Sequence, residues 1–361
     1  MYKIGIDIQT ISGQKTGFGY YVENLVRELQ KIDDKFQYEL IAPNSENDFS
    51  TPQRFVWDQV TVPYRLKKAK IDLYHQPAFS APILFNKPIV VTVHDLIAVY
   101  FSEDIPFWSR QFFGKWMPFS YRFADHIITD SIHTKKDIIK LLKVPESKIT
   151  VTYLALDHIV ATGIKRQEIE KVKHKFGIKG PFLLYVGTIN PRKNLVFLTQ
   201  VFALVLSKIP DMQLVIAGKK GWFYNNLILE VNKLRLYEKV IITDYITDLE
   251  KKALYASADI LTFPSLYEGF GFPVLEAMAC GVPVIASNKT SIPEVLGNAG
   301  ISLDPLDKDR WAQEIINLHF SIARKKQLVE AGLKRSKLFS WKKTAQQTVE
   351  VYKNVLEARE K

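Results

Sequence analysis

The sequence contains a single cysteine, Cys280, so no disulfide can form within the chain, and a reducing cytoplasm is the compartment it fits. No run reaches the ~18 consecutive apolar residues that a membrane-spanning helix needs. The first residues, Met1-Tyr2-Lys3-Ile4-Gly5-Ile6-Asp7-Ile8, lack the apolar h-region of a signal peptide and read as a first buried strand. There is no low-complexity tract and no short repeat, and charged residues make up only 24% of the chain, which argues against intrinsic disorder. No basic cluster interleaved with aromatics resembles a nucleic-acid reader, so nucleic acid is not an expected partner. No Asp-x-Asp motif stands in a convincing loop, so no metal is expected. These absences leave a cytoplasmic globular protein, still able to rest on the inner face of the plasma membrane.

What is present suits two domains. The chain has 361 residues, 47% of them hydrophobic, enough for each of two domains to bury its own core. The formal net charge is +11. Residues 1–166 carry 21 Lys/Arg against 18 Asp/Glu, and residues 167–361 carry 28 against 20, so the excess is +3 and +8. A diffuse positive excess favours anionic ligands or an anionic membrane surface.

Short β-rich apolar runs alternate with longer helical patterns. Expected strands cover residues 3–7, 38–42, 73–75, 89–94, 126–129, 149–152, 182–186, 213–217, 240–243, 260–263, 283–286 and 300–303. Expected helices cover 19–32, 108–124, 133–142, 195–208, 225–236, 249–256 and 273–280. This alternation predicts an α/β fold of parallel sheets covered by helices. The rhythm pauses between 156 and 181, where a polar stretch at 165–179 reads as the passage between two doubly wound domains, 1–165 and 166–340. In such folds ligands bind outside the carboxyl ends of the strands.

Four elements fall there. Glu268-Gly269-Phe270-Gly271-Phe272-Pro273-Val274-Leu275-Glu276 follows a strand and enters a helix. Its glycines allow positive φ and close approach of backbone N–H groups, and Pro273 suits a first helical turn. Two carboxylates here suit sugar hydroxyls, and the helix N-terminus suits a phosphate. The alternative is that Glu276 complements the helix dipole from the first turn and the glycines only turn the chain. The second element, Gly187-Thr188-Ile189-Asn190-Pro191-Arg192-Lys193-Asn194, ends on two cations able to neutralise a diphosphate. Its alternative, a solvated pair at a helix start, opposes the dipole. The third is Val91-Thr92-Val93-His94-Asp95, whose histidine either faces a ligand or is a satisfied core residue. The fourth, Gln14-Lys15-Thr16-Gly17-Phe18-Gly19, is a glycine loop without the full dinucleotide fingerprint.

In this order the four elements resemble the retaining glycosyltransferases of GT-B fold with the Glu-x7-Glu signature (family 4, group 1), and the resemblance covers nearly the whole chain. Glu276-Ala277-Met278-Ala279-Cys280-Gly281-Val282-Pro283, Ser291-Ile292-Pro293-Glu294-Val295 and Phe339-Ser340-Trp341 continue it. Within that family the chain is most similar to mannosyltransferase-like enzymes of bacterial surface-polysaccharide assembly. The resemblance implies two Rossmann-like domains facing across a crevice, the first for the acceptor and the second for the nucleotide sugar, with residues 341–361 packing back on the first. It implies that Glu268 binds the donor sugar's hydroxyls, helped by N–H groups of Phe270, Gly271 and Phe272, and that Glu276 holds the ribose. Arg192 and Lys193 would stabilise the departing diphosphate, joined by Gly17 and Gly19, and Gly187, which opens the turn, would also line the donor site. His94 would touch the donor sugar, and base contacts would come from Lys219 and Tyr245. No cofactor is implied beyond the co-substrate, GDP-mannose or a UDP-sugar; the acceptor would be a glycan or lipid-linked. Retention without an enzyme nucleophile implies front-face displacement. The family carries Asn-Gly where this chain has Tyr153-Leu154-Ala155-Leu156-Asp157, which leaves the donor site intact.

The acceptor side is less legible. Arg65-Leu66-Lys67-Lys68-Ala69-Lys70 and Phe107-Trp108-Ser109-Arg110-Gln111-Phe112-Phe113-Gly114-Lys115-Trp116 suit anionic lipid headgroups, or else form a solvated charge run and a core helix. A sugar-nucleotide epimerase of the same fold and a non-catalytic nucleotide-sugar binding protein are the rival functions.

Overall fold

Among the described residues, twelve short strands form two parallel sheets, and helices occupy the polar stretches between them. The computed structural model describes residues 1–12, 17–32, 35–43, 49–101, 106–156, 163–221 and 224–360. The chain divides into two units, Met1–Asp157 with Phe339–Lys361, and His158–Leu338.

The first unit holds β1 (Tyr2–Asp7), β2 (Phe36–Ile41), β3 (Leu73–Gln76), β4 (Ile89–Val93), β5 (His126–Thr129) and β6 (Ile149–Val151), in the order β2-β1-β3-β4-β5-β6. β3 and β4 are buried along their whole length. Burial on both faces is why β4 reads as a nearly unbroken apolar run, while the buried polar residues of β3, His75 and Gln76, are hydrogen-bonded to Thr92 and Tyr74. The C-terminal helix Trp341–Glu360 packs in this unit: the Thr344 hydroxyl donates to the Tyr153 carbonyl at 2.6 Å, and the Tyr352 hydroxyl meets His75 Nδ1 at 2.6 Å.

The second unit holds β7 (Phe182–Val186), β8 (Gln213–Ala217), β9 (Val240–Asp244), β10 (Ile260–Phe263), β11 (Val284–Ser287) and β12 (Ile301–Leu303), in the order β12-β11-β10-β7-β8-β9. The chain runs outward from β7 to β9, then returns to the other side of β7 with β10. Each sheet is therefore doubly wound, with its strand order reversing between β1 and β3 and between β7 and β10. A ligand crevice opens at such a reversal, beyond the carboxyl ends of the strands.

All twelve expected strands are present. Beyond the expected helices, Lys308–Phe320 and Ile322–Ser336 are also helical, and three further segments depart from expectation. Residues 166–176, read as part of a passage, form the helix Arg166–Phe176, closed by Gly177 at φ +69°. Residues 51–68, not expected as helix, run through Thr51–Val56, Trp57–Thr61 and Val62–Lys68; the Gln53 side chain accepts from the Ser50 backbone N–H at 2.9 Å and caps the start. The expected helix 108–124 is one helical run, but Arg110–Trp116 is wound wide as π-helix. These two π stretches stand just ahead of a proline, Pro63 and Pro118, and a third, Ile138–Leu142, ends the expected helix 133–142. Proline supplies no N–H and its ring crowds the carbonyl four residues back, at Gln59 and Gly114, so the turn before it widens.

Candidate functional site

The β7–β10 reversal brings the second and first sequence elements together. Beyond β7, Gly187 takes φ +144°, and a Cβ there would lie 2.9 Å from the Tyr185 hydroxyl, so only glycine fits. Pro191–Lys193 then makes one tight turn, Asn194 takes φ +59°, and the helix Leu195–Leu206 begins. Beyond β10, the Leu266 N–H donates to the Arg192 carbonyl at 2.7 Å, and Arg192 Nη1 donates to the Tyr267 carbonyl at 2.9 Å. This stitching places the Glu268 carboxylate against both cations: Lys193 Nζ bonds Oε1, and Arg192 Nη1 lies 3.2 Å from Oε2. The Ser265 hydroxyl donates to Oε1 at 2.5 Å, and the Lys193 ammonium sits 5.3 Å over the Phe263 ring.

Lys193 and Glu268 are each 7% exposed, so the solvated-pair alternative does not describe these cations. Burial pushes the Glu268 carboxyl up, but Lys193 and Arg192 outweigh it and hold the carboxyl below its ordinary range. The loop's backbone is fixed by its own serine: Ser291 Oγ donates to the Glu268 and Phe270 carbonyls, both at 2.9 Å. The Glu268 N–H donates to Thr290 Oγ1 at 3.0 Å. Gly271, at φ +110°, starts the helix Phe272–Ala279, whose first N–H groups have no partner within the helix.

Glu276 is the fifth residue of that helix, not a member of its first turn, because Gly271 delays the helical start to Phe272. It is buried. The Tyr255 hydroxyl donates to its Oε2 at 2.7 Å, and Lys251 Nζ donates to its Oε1 at 3.1 Å. Lys251 and Tyr255 are four residues apart on the helix Asp248–Ser257 and so share a face. The dipole alternative does not account for this arrangement. Beyond β8 and β9, Lys219 Nζ sits 5.4 Å from the Tyr245 ring centroid, so the two expected base contacts lie together at the surface.

In the first unit, His94 follows β4 and Asp130 follows β5, brought side by side by the pairing of Val93 with Thr129. His94 Nδ1 lies 2.5 Å from Asp130 Oδ2, and Nε2 lies 2.9 Å from the Pro77 carbonyl. Both ring nitrogens face acceptors, which calls for the doubly protonated imidazolium. Burial lowers the His94 pKa, but Asp130 and the Pro77 carbonyl raise it above its ordinary value. Phe18 stacks on the ring at 4.9 Å and Tyr21 meets it edge-on at 4.7 Å. Beside them, a cavity of about 70 Å³ is lined by Phe18, His94, Asp95, Phe113 and Tyr121, among others. Gly17 and Gly19 lie in the first turn of the helix Gly17–Ile32, where their N–H groups point out of the helix start. Gln14, Lys15 and Thr16 of the same element lie outside the described residues.

Comparison with known proteins matches this division. Residues 166–335 match the family described as Glycosyl transferases group 1, and residues 16–158 match Glycosyltransferase Family 4. The chain is 32% identical over 305 residues to O-antigen chain mannosyltransferase B of Escherichia coli, covering 84% of this chain and 77% of that protein. The chain belongs to the group 1, family 4 glycosyltransferases. It is also 25% identical over 355 residues to the serotype-specific mannosyltransferase WbdA of Escherichia coli, covering 93% of this chain and 43% of WbdA. The structure of Anabaena Alr3699/HepE in complex with UDP and glucose superposes with a TM-score of 0.74 at 17% identity, over 98% of this chain and 100% of that one. That likeness places the fold: GT-B, with two Rossmann-like sheets.

Of the expected residues of the second unit, Arg192, Lys193 and Glu268 form one cluster, Lys219 meets Tyr245, and Glu276 is joined by Tyr255 and Lys251. Sequence reading missed the residues that hold them. Ser265 and Thr290 carry no motif. Lys251 and Tyr255 are legible only as an i, i+4 pair. Asp130 had a signal, since Asp130-Ser131 ends β5 as His94-Asp95 ends β4, and adjacent parallel strands carry their ends side by side.

Proposed function

We propose that this glycosyltransferase moves a hexose, with mannose favoured, from a nucleotide sugar to a glycan or lipid-linked acceptor in bacterial surface-polysaccharide assembly. The observation that carries this reading is the buried Arg192–Lys193–Glu268 cluster at the β7–β10 reversal, two cations and a carboxylate where an α/β sheet receives a phosphorylated ligand. The mannosyltransferases among its relatives support the sugar. The donor is GDP-mannose or a UDP-sugar.

Glu268 takes hydroxyls of the donor sugar, with the N–H groups of Phe270, Gly271 and Phe272 beside it. Glu276, oriented by Tyr255 and Lys251, takes the ribose hydroxyls, and Lys219 with Tyr245 takes the base. Arg192 and Lys193 receive the charge that develops on the departing diphosphate, so no metal is assigned there. The N–H groups of Gly17 and Gly19 are assigned to the diphosphate as well. The first unit is assigned the acceptor, and His94, as an imidazolium, acts on the transferred sugar as a fixed positive charge rather than a base. Transfer proceeds with retention by front-face displacement: the acceptor oxygen bonds the anomeric carbon on the face from which the diphosphate leaves, and a phosphate oxygen takes its proton. Positioning and leaving-group stabilisation then carry the rate.

The test is thermal shift against GDP, UDP, ADP and their sugar conjugates, followed by product analysis. One nucleotide class should stabilise the protein, by about 2.7 kcal/mol at a hundredfold excess over Kd. Transfer should survive EDTA and give a product of the donor's anomeric configuration by NMR. A protein that responds to no nucleotide would overturn the reading; an inverted product would overturn the front-face step alone.

A further inference from the structure

β7 carries, two residues before its glycine turn, a polar group that the proposed donor chemistry does not use. Tyr185 is fully buried, and its hydroxyl has no hydrogen-bond partner among the described residues. Gly187 lies on the same side of the strand. A Cβ there would stand 2.9 Å from the hydroxyl, so the hydroxyl sits directly beneath the turn that leads to Arg192 and Lys193. The Tyr185 and Phe263 rings are nearly parallel, 5.9 Å apart, and the Lys193 ammonium sits 5.3 Å over the same Phe263 ring. The charges of Glu268 and Arg192 both act on the hydroxyl. It thus stands among the members of the buried cluster and bonds none of them.

Packing does not account for the hydroxyl. A phenylalanine would fill the same space and make the same ring contact. A buried hydroxyl without a partner destabilises the fold, and such groups are few enough in folded proteins that each calls for a cause. The chemistry of this one is fixed. Burial first, then the Glu268 charge, push the Tyr185 phenol well above its ordinary range, while Arg192 acts the other way. The group is therefore a neutral phenol with a proton to donate, and what it lacks is an acceptor. The anionic acceptor of the cluster is the Glu268 carboxylate, whose oxygens are taken by Lys193, Ser265 and Arg192.

We propose, resting on the donor-site reading, that Tyr185 is a positioning residue for Glu268: once a diphosphate draws Lys193 away, the phenol donates to the carboxylate in place of the ammonium. A hydrogen bond from a neutral hydroxyl to a carboxylate is short and strong, and it holds Glu268 in place for the sugar hydroxyls without competing for the phosphates. The group acts on the sugar only through Glu268.

The experiment is Tyr185→Phe, read by calorimetry with GDP against GDP-mannose and with UDP against UDP-glucose. Affinity for the free diphosphate should stay as in the wild type, and affinity for its sugar conjugate should fall about tenfold. A purely structural role would not separate the two. The melting temperature should rise by about 2–4 °C, because the variant removes an unsatisfied buried group. Tyr352→Phe is the contrast: its hydroxyl meets His75 at 2.6 Å, so that variant should melt lower and keep both affinities. In a Glu268→Gln background, Tyr185→Phe should change the affinity for the sugar conjugate by less than about twofold. Wild-type affinity of Tyr185→Phe for the sugar conjugate would overturn the proposal and leave the donor reading standing. A lowered melting temperature would also overturn it, since the hydroxyl would then already be bonded. An equal loss in the Glu268→Gln background would overturn it by placing the hydroxyl on the ligand rather than on Glu268. A wild type that binds no nucleotide would overturn the donor reading and this inference together.

Discussion

Replacing Lys193 by methionine keeps most of the stem and removes the ammonium from a buried ion pair. Stranding a buried charge by removing its partner costs about 3–5 kcal/mol. Glu268 would not be fully stranded, since Arg192 remains 3.2 Å from Oε2 and the Ser265 hydroxyl remains 2.5 Å from Oε1. Lys193→Met should therefore cost less, about 2 kcal/mol, and lower the melting temperature of the unit His158–Leu338 by about 4–8 °C. Glu268→Gln, which leaves the two cations facing each other, should cost a similar amount. The double variant removes both charges of the Lys193–Glu268 pair and leaves Arg192 bonded to the Tyr267 carbonyl. It should cost about 2 kcal/mol rather than the ~4 kcal/mol of an additive pair, a coupling of about 2 kcal/mol by denaturant unfolding. Additivity within about 0.5 kcal/mol would refute the claim that these groups act as one buried cluster.

The same pair sets an acid limb. Because Lys193 and Arg192, against the effect of burial, hold the Glu268 carboxyl below its unfolded value, its contribution is fully present above the ordinary glutamate range. That contribution is lost as pH falls through the lower folded value. Wild-type stability should thus fall on acidification below about pH 4.5, and the fall should flatten in Glu268→Gln. An unchanged slope would place the acid sensitivity elsewhere.

Three further outcomes follow from the proposed roles. Glu276→Gln keeps an acceptor for the Tyr255 hydroxyl but removes the charge facing Lys251, and should weaken nucleotide binding about tenfold by calorimetry, near 1.4 kcal/mol, with the fold intact. Unchanged affinity would remove Glu276 from the ribose. His94→Gln should depress turnover more than nucleotide affinity, because it deletes a fixed cation that matters most as charge separates. Its raised pKa means that the stability it lends is present below the ordinary histidine value and lost as pH rises through the folded one; the variant should lack that alkaline decline above about pH 6.5. A fully active His94→Gln would return the residue to a purely structural place.

The central strands were legible because burial on both faces favours apolar side chains. β7 is apolar from end to end, β8 departs from this only at Gln213, and β10 only at Thr262. The places of the candidate residues were legible because an α/β sheet carries its ligand-facing loops just beyond those ends, and Lys193, Glu268 and His94 lie there. The helical run 51–68 was not legible, since its π stretch and Pro63 shift the apolar phase and its last turn reads as a charge run. Partners such as Ser265 and Thr290 were hidden for a different reason. Their role depends on a hydroxyl's distance to one carboxylate or one N–H, and hydroxyls in loops carry no periodicity that records it.

The arrangement of the Lys193 cluster says something that its composition alone does not. Two cations and one carboxylate leave a net charge of +1, and the carboxylate bonds both cations. On the proposed reading, a diphosphate would bring more negative charge than Glu268 and compete for the same ammonium. Entry of the donor would release Glu268 from Lys193 at the moment when sugar hydroxyls become available as replacement donors to its oxygens. An exchange of partners, rather than a simple addition, keeps both buried charges compensated before and after binding, which avoids the desolvation cost that an empty cation pair would carry at the end of β7. It also predicts that Glu268→Gln binds free nucleoside diphosphate at least as tightly as the wild type, while losing affinity for the sugar conjugate. Weaker binding of both by calorimetry would show that Glu268 contributes to the phosphate site itself and does not compete with it.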